Sequence, residues 1–158
     1  MTALREYLRL VADLRKRNTF GHLTSVYTGL EDFLLRAGES FSAIAAKRGG
    51  VRLMTPKQCF HNCGALVQRR ADLTYCEGYA MKELIPIHHA WCIDSDGRVI
   101  EPTLRKPAVE YIGVRFPTSY VADTQTSENG SMILQWQNKF PIFTIPWDEQ
   151  PFRKAARP

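Results

Sequence analysis

The chain has 158 residues, 44% hydrophobic and 23% charged, the size and balance of one globular domain built on a single core. No apolar run approaches the roughly 18 to 20 residues that span a bilayer, and the opening Met1-Thr-Ala-Leu-Arg-Glu6 lacks the apolar centre of a signal peptide, so a cytoplasmic chain without membrane association is expected. The net charge of +5 is spread from Arg5 and Arg9 through Arg15, Lys47, Arg69 and Arg153 with no nucleic-acid module among them, which predicts a solvated basic surface with weak polyanion affinity.

From Leu4 to Arg17, the apolar positions Leu4, Tyr7, Leu8, Val11, Ala12 and Leu14 form one side of an amphipathic helix that packs on the domain. Leu23–Ala37 carries two signals, a strand pattern at Ser25-Val-Tyr-Thr28 and a helix pattern at Glu31–Ala37, ended by Gly38. Ser40–Lys47 reads as a short helix closed by Gly49-Gly50. Pro56 interrupts the chain and suits the first residues of a helix. That helix is expected to begin near Cys59, with Cys63, Leu66 and Val67 at helical spacing and Gln68-Arg69-Arg70 as its polar last turn.

Leu73–Ala80 is rich in strand formers, and Gly78 within it marks a bulge or a close backbone approach. After an expected loop from Met81 to Pro86, Ile87–Ile93 reads as a second strand. It turns at Asp94-Ser-Asp-Gly97 into a third, Arg98–Glu101, ended by Pro102. Glu110–Phe116 is a further strand, ended by Pro117. Asp123–Ser131 is a polar surface loop, Met132–Trp136 resumes a periodic segment, Phe140–Trp147 is extended, and 153–158 forms a disordered tail to a single domain over 1–152.

Chemistry-bearing residues concentrate between 56 and 103, where all four cysteines and three of the four histidines lie. Unpaired N–H groups and the positive end of the helix dipole favour a thiolate at a helix start, which selects Cys59 as nucleophile. Alternation along the strand puts His89, Trp91 and Ile93 on one face and His88, Ala90 and Cys92 on the other. The hairpin returns Glu101 beside the start of the histidine strand, where a carboxylate holds an imidazole's tautomer, expected here through Nδ1. Cys59, His89 and Glu101 are thus candidate nucleophile, base and orienting acid.

Around this trio several readings stay open. The oxyanion donor is either the Gln58 side chain or the backbone N–H of Cys59. Trp91 either walls the site or fills the core. Glu77 and Tyr79 share a strand face and either border the cleft or lie on the surface. His88 packs or faces solvent, and His61 has no assigned role. The other thiols, Cys63, Cys76 and Cys92, are expected to be buried rather than zinc ligands, because no close C-x2-C pair exists and strand parity separates His89 from Cys92. No metal or cofactor is expected; a zinc-stabilised binding module is the alternative such a cysteine set raises.

Gln58-Cys59 opening a helix, Glu77-Gly78-Tyr79, His89-Ala90-Trp91, and Glu101-Pro102-Thr103 after a glycine turn resemble the transglutaminase-like branch of the papain-like cysteine enzymes. That branch has a cysteine, a histidine-x-tryptophan and an acid-proline-threonine in this chain order. The resemblance spans about a third of the chain, and it departs in placing Glu101 where aspartate is usual and Gln58 before the cysteine. It implies an α+β fold in which the cysteine helix packs on a small antiparallel sheet carrying the histidine and acid. The implied activity is acyl transfer or amide hydrolysis through a thioester, on a peptide, protein or small-molecule amide. The alternative is a domain of this fold that binds a peptide or nucleic acid without turnover.

Overall fold

The structure is a computed structural model that describes residues 2–18, 25–42, 50–125, 130–135 and 137–154. Helix α1 spans Ala3–Asn18. Its Leu4, Leu8 and Ala12 are buried, but Leu14, expected on that side, is exposed together with Leu10, because at about 100° per residue it falls well away from the Leu4–Leu8–Ala12 line. In the next segment the helical signal prevails over the strand signal, giving α2 at Leu30–Ala37. Two acids in its first turn explain the outcome: Glu31 meets Arg15 at 3.0 Å and Asp32 meets Lys16 at 3.6 Å. Carboxylates favour a helix N-terminus, and here cations from the end of α1 compensate them.

The helix expected over Ser40–Lys47 does not begin there. Glu39–Ser42 is strand β1, paired with the β5 strand Glu110–Phe116 in register Glu39 to Gly113 and Phe41 to Tyr111. Residues 43–49, including the expected glycine stop at Gly49, lie outside the described residues. Pairing and the burial of Phe41 against Trp91, ring centroids 5.7 Å apart, override a weak local helix preference.

Helix α3 occupies Cys59–Arg69, followed by β2 at Thr74–Lys82, β3 at Ile85–Ile93 and β4 at Val99–Ile100. The loop expected from Met81 to Pro86 shrinks to Glu83-Leu84, because the two strands pair as far as Lys82 with Ile85. The third strand is likewise shorter than Arg98–Glu101 and pairs only Val99 and Ile100 with Ile93 and Cys92. The sheet order is β1-β5-β2-β3-β4, antiparallel throughout, so the molecule is α+β. Gly97, at φ 74°, closes the hairpin turn by donating to the Asp94 carbonyl at 3.0 Å.

Helix α4, Thr118–Thr124, takes the first two residues of the expected polar loop; residues 126–129 of that loop lie outside the described residues. Ser131 at its end is buried. The stretch read as extended, Phe140–Trp147, instead holds two 3-10 turns, at Pro141–Phe143 and starting at Trp147. Helix α5, Pro151–Lys154, includes the first two residues of the expected tail; residues 155–158 lie outside the described ones. No described helix is long and apolar enough to cross a membrane.

The larger core lies on the sheet face covered by α1, α2 and α3 and contains Leu4, Leu8, Phe33, Cys63, Tyr75, Ala90 and Cys92. The opposite face carries a smaller cluster around Trp91, with Phe41, Cys76, Ile93, Val99 and Tyr111. Gly78 makes no bulge; it keeps register with His89 on one side and Gly113 on the other. A Cβ on Gly78 would sit 2.1 Å from the Ile112 carbonyl oxygen, and one on Gly113 would sit 2.5 Å from the Trp91 ring. The close-approach reading of Gly78 therefore holds: the glycine pair leaves space on the face that carries His89 and Trp91.

Candidate active site

The first turn of α3 is stitched to the irregular segment that follows the hairpin. The Gln58 carbonyl accepts the Asn62 N–H at 2.8 Å, and the Asn62 amide donates to the Thr55 carbonyl at 2.7 Å and the Thr103 hydroxyl at 2.9 Å. Met54 N–H reaches the Pro102 carbonyl at 2.8 Å. These bonds lay the residues ahead of α3 along residues 102–103. Strand β4 pairs only the end of β3, and the α3 start with residues 101–103 occupies the position beside His88 and His89 that a longer strand would have taken. Gln58 is the N-cap residue, yet its side chain makes no capping bond and is exposed beside Cys59.

His89 is 2% exposed and lies between a thiol and a carboxylate. Its Nε2 meets Glu101 Oε2 at 2.9 Å, and Cys59 lies near enough to favour its charged form. The expectation that Glu101 engages Nδ1 is thus corrected. Glu101 takes Nε2 and leaves Nδ1 as the second ring nitrogen. Burial works against a charged imidazole, but the bonds to Cys59 and Glu101 outweigh it and raise the His89 pKa to about 9.

Glu101 is itself 1% exposed. Its Oε1 accepts the Thr103 and Leu104 N–H groups, each at 3.0 Å, and its Oε2 accepts the Tyr111 hydroxyl at 3.1 Å. The same hydroxyl accepts the Ala108 N–H at 2.8 Å. Burial pushes the Glu101 carboxyl up, but the His89 partner and the two backbone donors more than offset this and hold it below its ordinary value. One extra methylene relative to aspartate is accommodated because the Glu-Pro-Thr corner wraps its own N–H groups around the carboxylate.

The cleft-lining candidates separate. Trp91 is fully buried, stacks on His89 with ring centroids 6.4 Å apart at 22°, and contacts Tyr111 at 4.9 Å; it is core packing behind the imidazole, not a cleft wall. Glu77 is also fully buried, neither cleft nor surface. It receives the Tyr75 hydroxyl at 2.8 Å and the Met132 N–H at 2.7 Å, and it pairs with His88 Nε2 at 3.0 Å. Burial opposes its ionisation, yet His88, Ser131 and Met132 together keep the Glu77 carboxyl below its usual range. Tyr79 is half-exposed and donates to Glu31 at 2.9 Å. His61 is exposed and packs on Gly130, where a Cβ would come within 2.8 Å of its ring.

Cys63, Cys76 and Cys92 are fully buried, with burial pushing the thiols of Cys63 and Cys76 far up. Cys76 packs on the Trp91 face, while Cys59, Cys63 and Cys92 pack on the helix face. Among the described residues no group of three or more metal-ligating side chains is placed to hold an ion. Three supporting residues escaped the sequence reading. Asn62 was accessible in principle, three residues after Cys59 on one helix, and Thr103 through its place in Glu-Pro-Thr. Tyr111 gave no signal, since only the sheet order brings it to Glu101. No family model matches the chain, and comparisons with curated proteins and with solved structures find no match either.

Proposed function

We propose that the protein is a cysteine enzyme of papain-like, transglutaminase-like architecture that cleaves or transfers an acyl group from an amide through a thioester. The observation that carries this reading is the buried His89, hydrogen-bonded to Glu101 at 2.9 Å, with Cys59 near enough to favour its charged form. A buried imidazole held charged between a thiol and a carboxylate is what a thiol nucleophile requires and what a purely structural core histidine does not.

In the proposed reaction, Cys59 and His89 rest as a thiolate–imidazolium pair, and the Cys59 thiolate attacks the amide carbonyl carbon, forming a C–S bond as the carbonyl electrons move to oxygen. The Cys59 N–H, at the start of α3, and the exposed Gln58 amide are the donors closest in sequence to that oxyanion. Collapse expels the amine, which takes the proton from His89, and leaves a thioester. Water or a second amine then attacks the thioester, returning its proton to His89 and releasing Cys59. Glu101 stays ionised throughout and stabilises the imidazolium.

Trapping the acyl-enzyme tests this. Incubation with p-nitrophenyl acetate and rapid acid quench is expected to add one acetyl group, mapped by mass spectrometry to Cys59, and His89→Gln is expected to lower the rate by at least about a hundredfold. Acetylation spread over all four cysteines, or unchanged in His89→Gln, contradicts the reading.

A further inference from the structure

We infer that the acyl donor is an acidic polypeptide, whose carboxylates are drawn to the cationic surface that residues 50–58 and 102–109 build around Cys59, His89 and Glu101. The inference rests on the cysteine-enzyme reading above and assigns its substrate class. Basic residues that the sequence spreads over the chain converge here. The two segments expose Arg52, Lys57, Arg105 and Lys106, yet residues 50–71 contain no aspartate or glutamate and neither do residues 102–109. Glu101, which leads into the second segment, is buried and already bound by His89.

Hydrogen bonds hold these cations near the site. Met54 N–H binds the Pro102 carbonyl at 2.8 Å and the Asn62 amide ties Thr55 to Thr103, so the segment bearing Arg52 and Lys57 lies along the one that leads to Arg105 and Lys106. Lys57 is two residues from Cys59, and at roughly 3.8 Å per step its Cα lies within about 8 Å of the nucleophile's. It holds a left-handed φ of 63°, a costly conformation for a residue with a side chain and one that recurs at functional sites. Lys106 is pinned from both sides. Leu104 N–H binds Glu101 Oε1 at 3.0 Å, and Ala108 N–H binds the Tyr111 hydroxyl that donates to Glu101 Oε2. On other parts of the surface, cations stand against acids, as Arg70 does with Asp72 at 2.6 Å, Arg98 with Asp94 at 2.8 Å and Arg115 with Glu39 at 2.8 Å. Arg52, Lys57 and Lys106 have no ion pair among the described residues. Like charges gathered without a counter-charge repel one another, and an anionic chain relieves that repulsion while a cationic one adds to it. The attraction reaches about 8 to 10 Å at physiological salt and farther at low salt.

The chloromethyl ketones of acetyl-Glu-Glu-Ala, acetyl-Gln-Gln-Ala and acetyl-Lys-Lys-Ala read this directly. Each alkylates the Cys59 thiolate by displacing chloride from an identical alanyl end, and they differ only in the charge behind it. At an ionic strength of about 10 mM the glutamyl reagent is expected to modify Cys59 at least about tenfold faster than the lysyl one, with the glutaminyl reagent between them, and about 0.5 M salt to bring all three within about twofold. The triple variant Arg52→Gln, Lys57→Gln, Lys106→Gln is expected to bring the low-salt ratio to within about threefold of unity. Should it fail to fold, Lys57→Gln alone is expected to cut the ratio at least about twofold. Equal rates in the native protein, a faster lysyl reagent, a preference that salt leaves unchanged, or a ratio that survives in the variants overturns the assignment. Protection of Cys59 by a single-stranded oligonucleotide, without glutamyl preference among the ketones, assigns the cations to nucleic acid and overturns it as well. If Cys59 reacts readily with iodoacetamide but without glutamyl preference, only the substrate class fails. If it ignores iodoacetamide and every ketone alike, the enzyme reading falls and this one with it.

Discussion

Glu101 concentrates the chemistry of the site in one side chain: it binds His89, two backbone N–H groups of its own turn, and Tyr111. Replacing its charge while keeping its shape is therefore informative. In Glu101→Gln the His89 pKa is expected to fall from about 9 toward its ordinary value near 6.5, because the carboxylate supports the imidazolium by hydrogen bond and by charge; an NMR titration of the ring protons measures it. A His89 titration left near 9 would mean that Glu101 contributes nothing to the charged form. Tyr111→Phe is a milder test of the same carboxylate. It leaves the buried Ala108 N–H without its acceptor and is expected to cost about 1 to 3 kcal/mol in chemical denaturation, with a smaller displacement of the His89 titration. At this scale the helix start at Cys59 and the strand carrying His89 were legible, because a proline-led helix start and a strand before a glycine turn are local patterns. The nitrogen that Glu101 uses and the role of Tyr111 were not, since both depend on how separate strands approach.

Among the elements, β2 is the one on which the others depend. It pairs with β3 and β5 and carries both Gly78 and Glu77. Gly78→Ala places a methyl group 2.1 Å from the Ile112 carbonyl oxygen and 2.5 Å from the Gly113 Cα, and backbone of the paired β5 strand has little room to yield. The expected result is a loss of more than about 3 kcal/mol or failure to fold, read by denaturant titration; a native-like midpoint would mean that the strands can separate locally. Glu77→Gln removes the buried charge that gathers His88, Tyr75, Met132 and Ile133. A loss of about 3 to 5 kcal/mol is expected, together with faster amide exchange at Met132 and Ile133. Exchange unchanged at those two amides would show that the 131–135 segment is held by its packing alone. The sequence marked Gly78 as a close approach but left Glu77 between cleft and surface. Alternation gives the face of a strand residue, not which helix or segment covers that face. The same gap explains the helix expected at Ser40: its strand identity comes from β5, seventy residues away in pairing partner, and not from its own composition.

For the whole molecule, the two sheet faces separate tasks: the larger core under the helices carries the fold, and the smaller cluster around Trp91 backs the candidate site. This gives stability a pH dependence with a definite sign. His89 has a folded-state pKa raised to about 9 from an ordinary 6.5, so its contribution is fully present below pH 6.5 and is lost as pH rises through about 9. The loss is on the order of 3 kcal/mol, measured as the denaturant midpoint at the two ends of that window and compared with His89→Gln, in which it should vanish. Glu77 and Glu101 act with the opposite sign. Their lowered pKa values give stability present above the ordinary carboxylate range and lost as pH falls below it. The α+β class was readable from the order of helix and strand patterns, but the sheet order that sets these buried pairs was not. The central claim, that Cys59 is a nucleophile activated by His89, is tested most directly by the rate of iodoacetamide alkylation at each cysteine from about pH 5 to about pH 9, mapped by mass spectrometry. The account predicts that Cys59 reacts fastest and keeps its rate below pH 7, where His89 is protonated beside it, and that Glu101→Gln slows it. Equal rates at all four thiols, each rising only toward the ordinary cysteine range near pH 8.5, would contradict it.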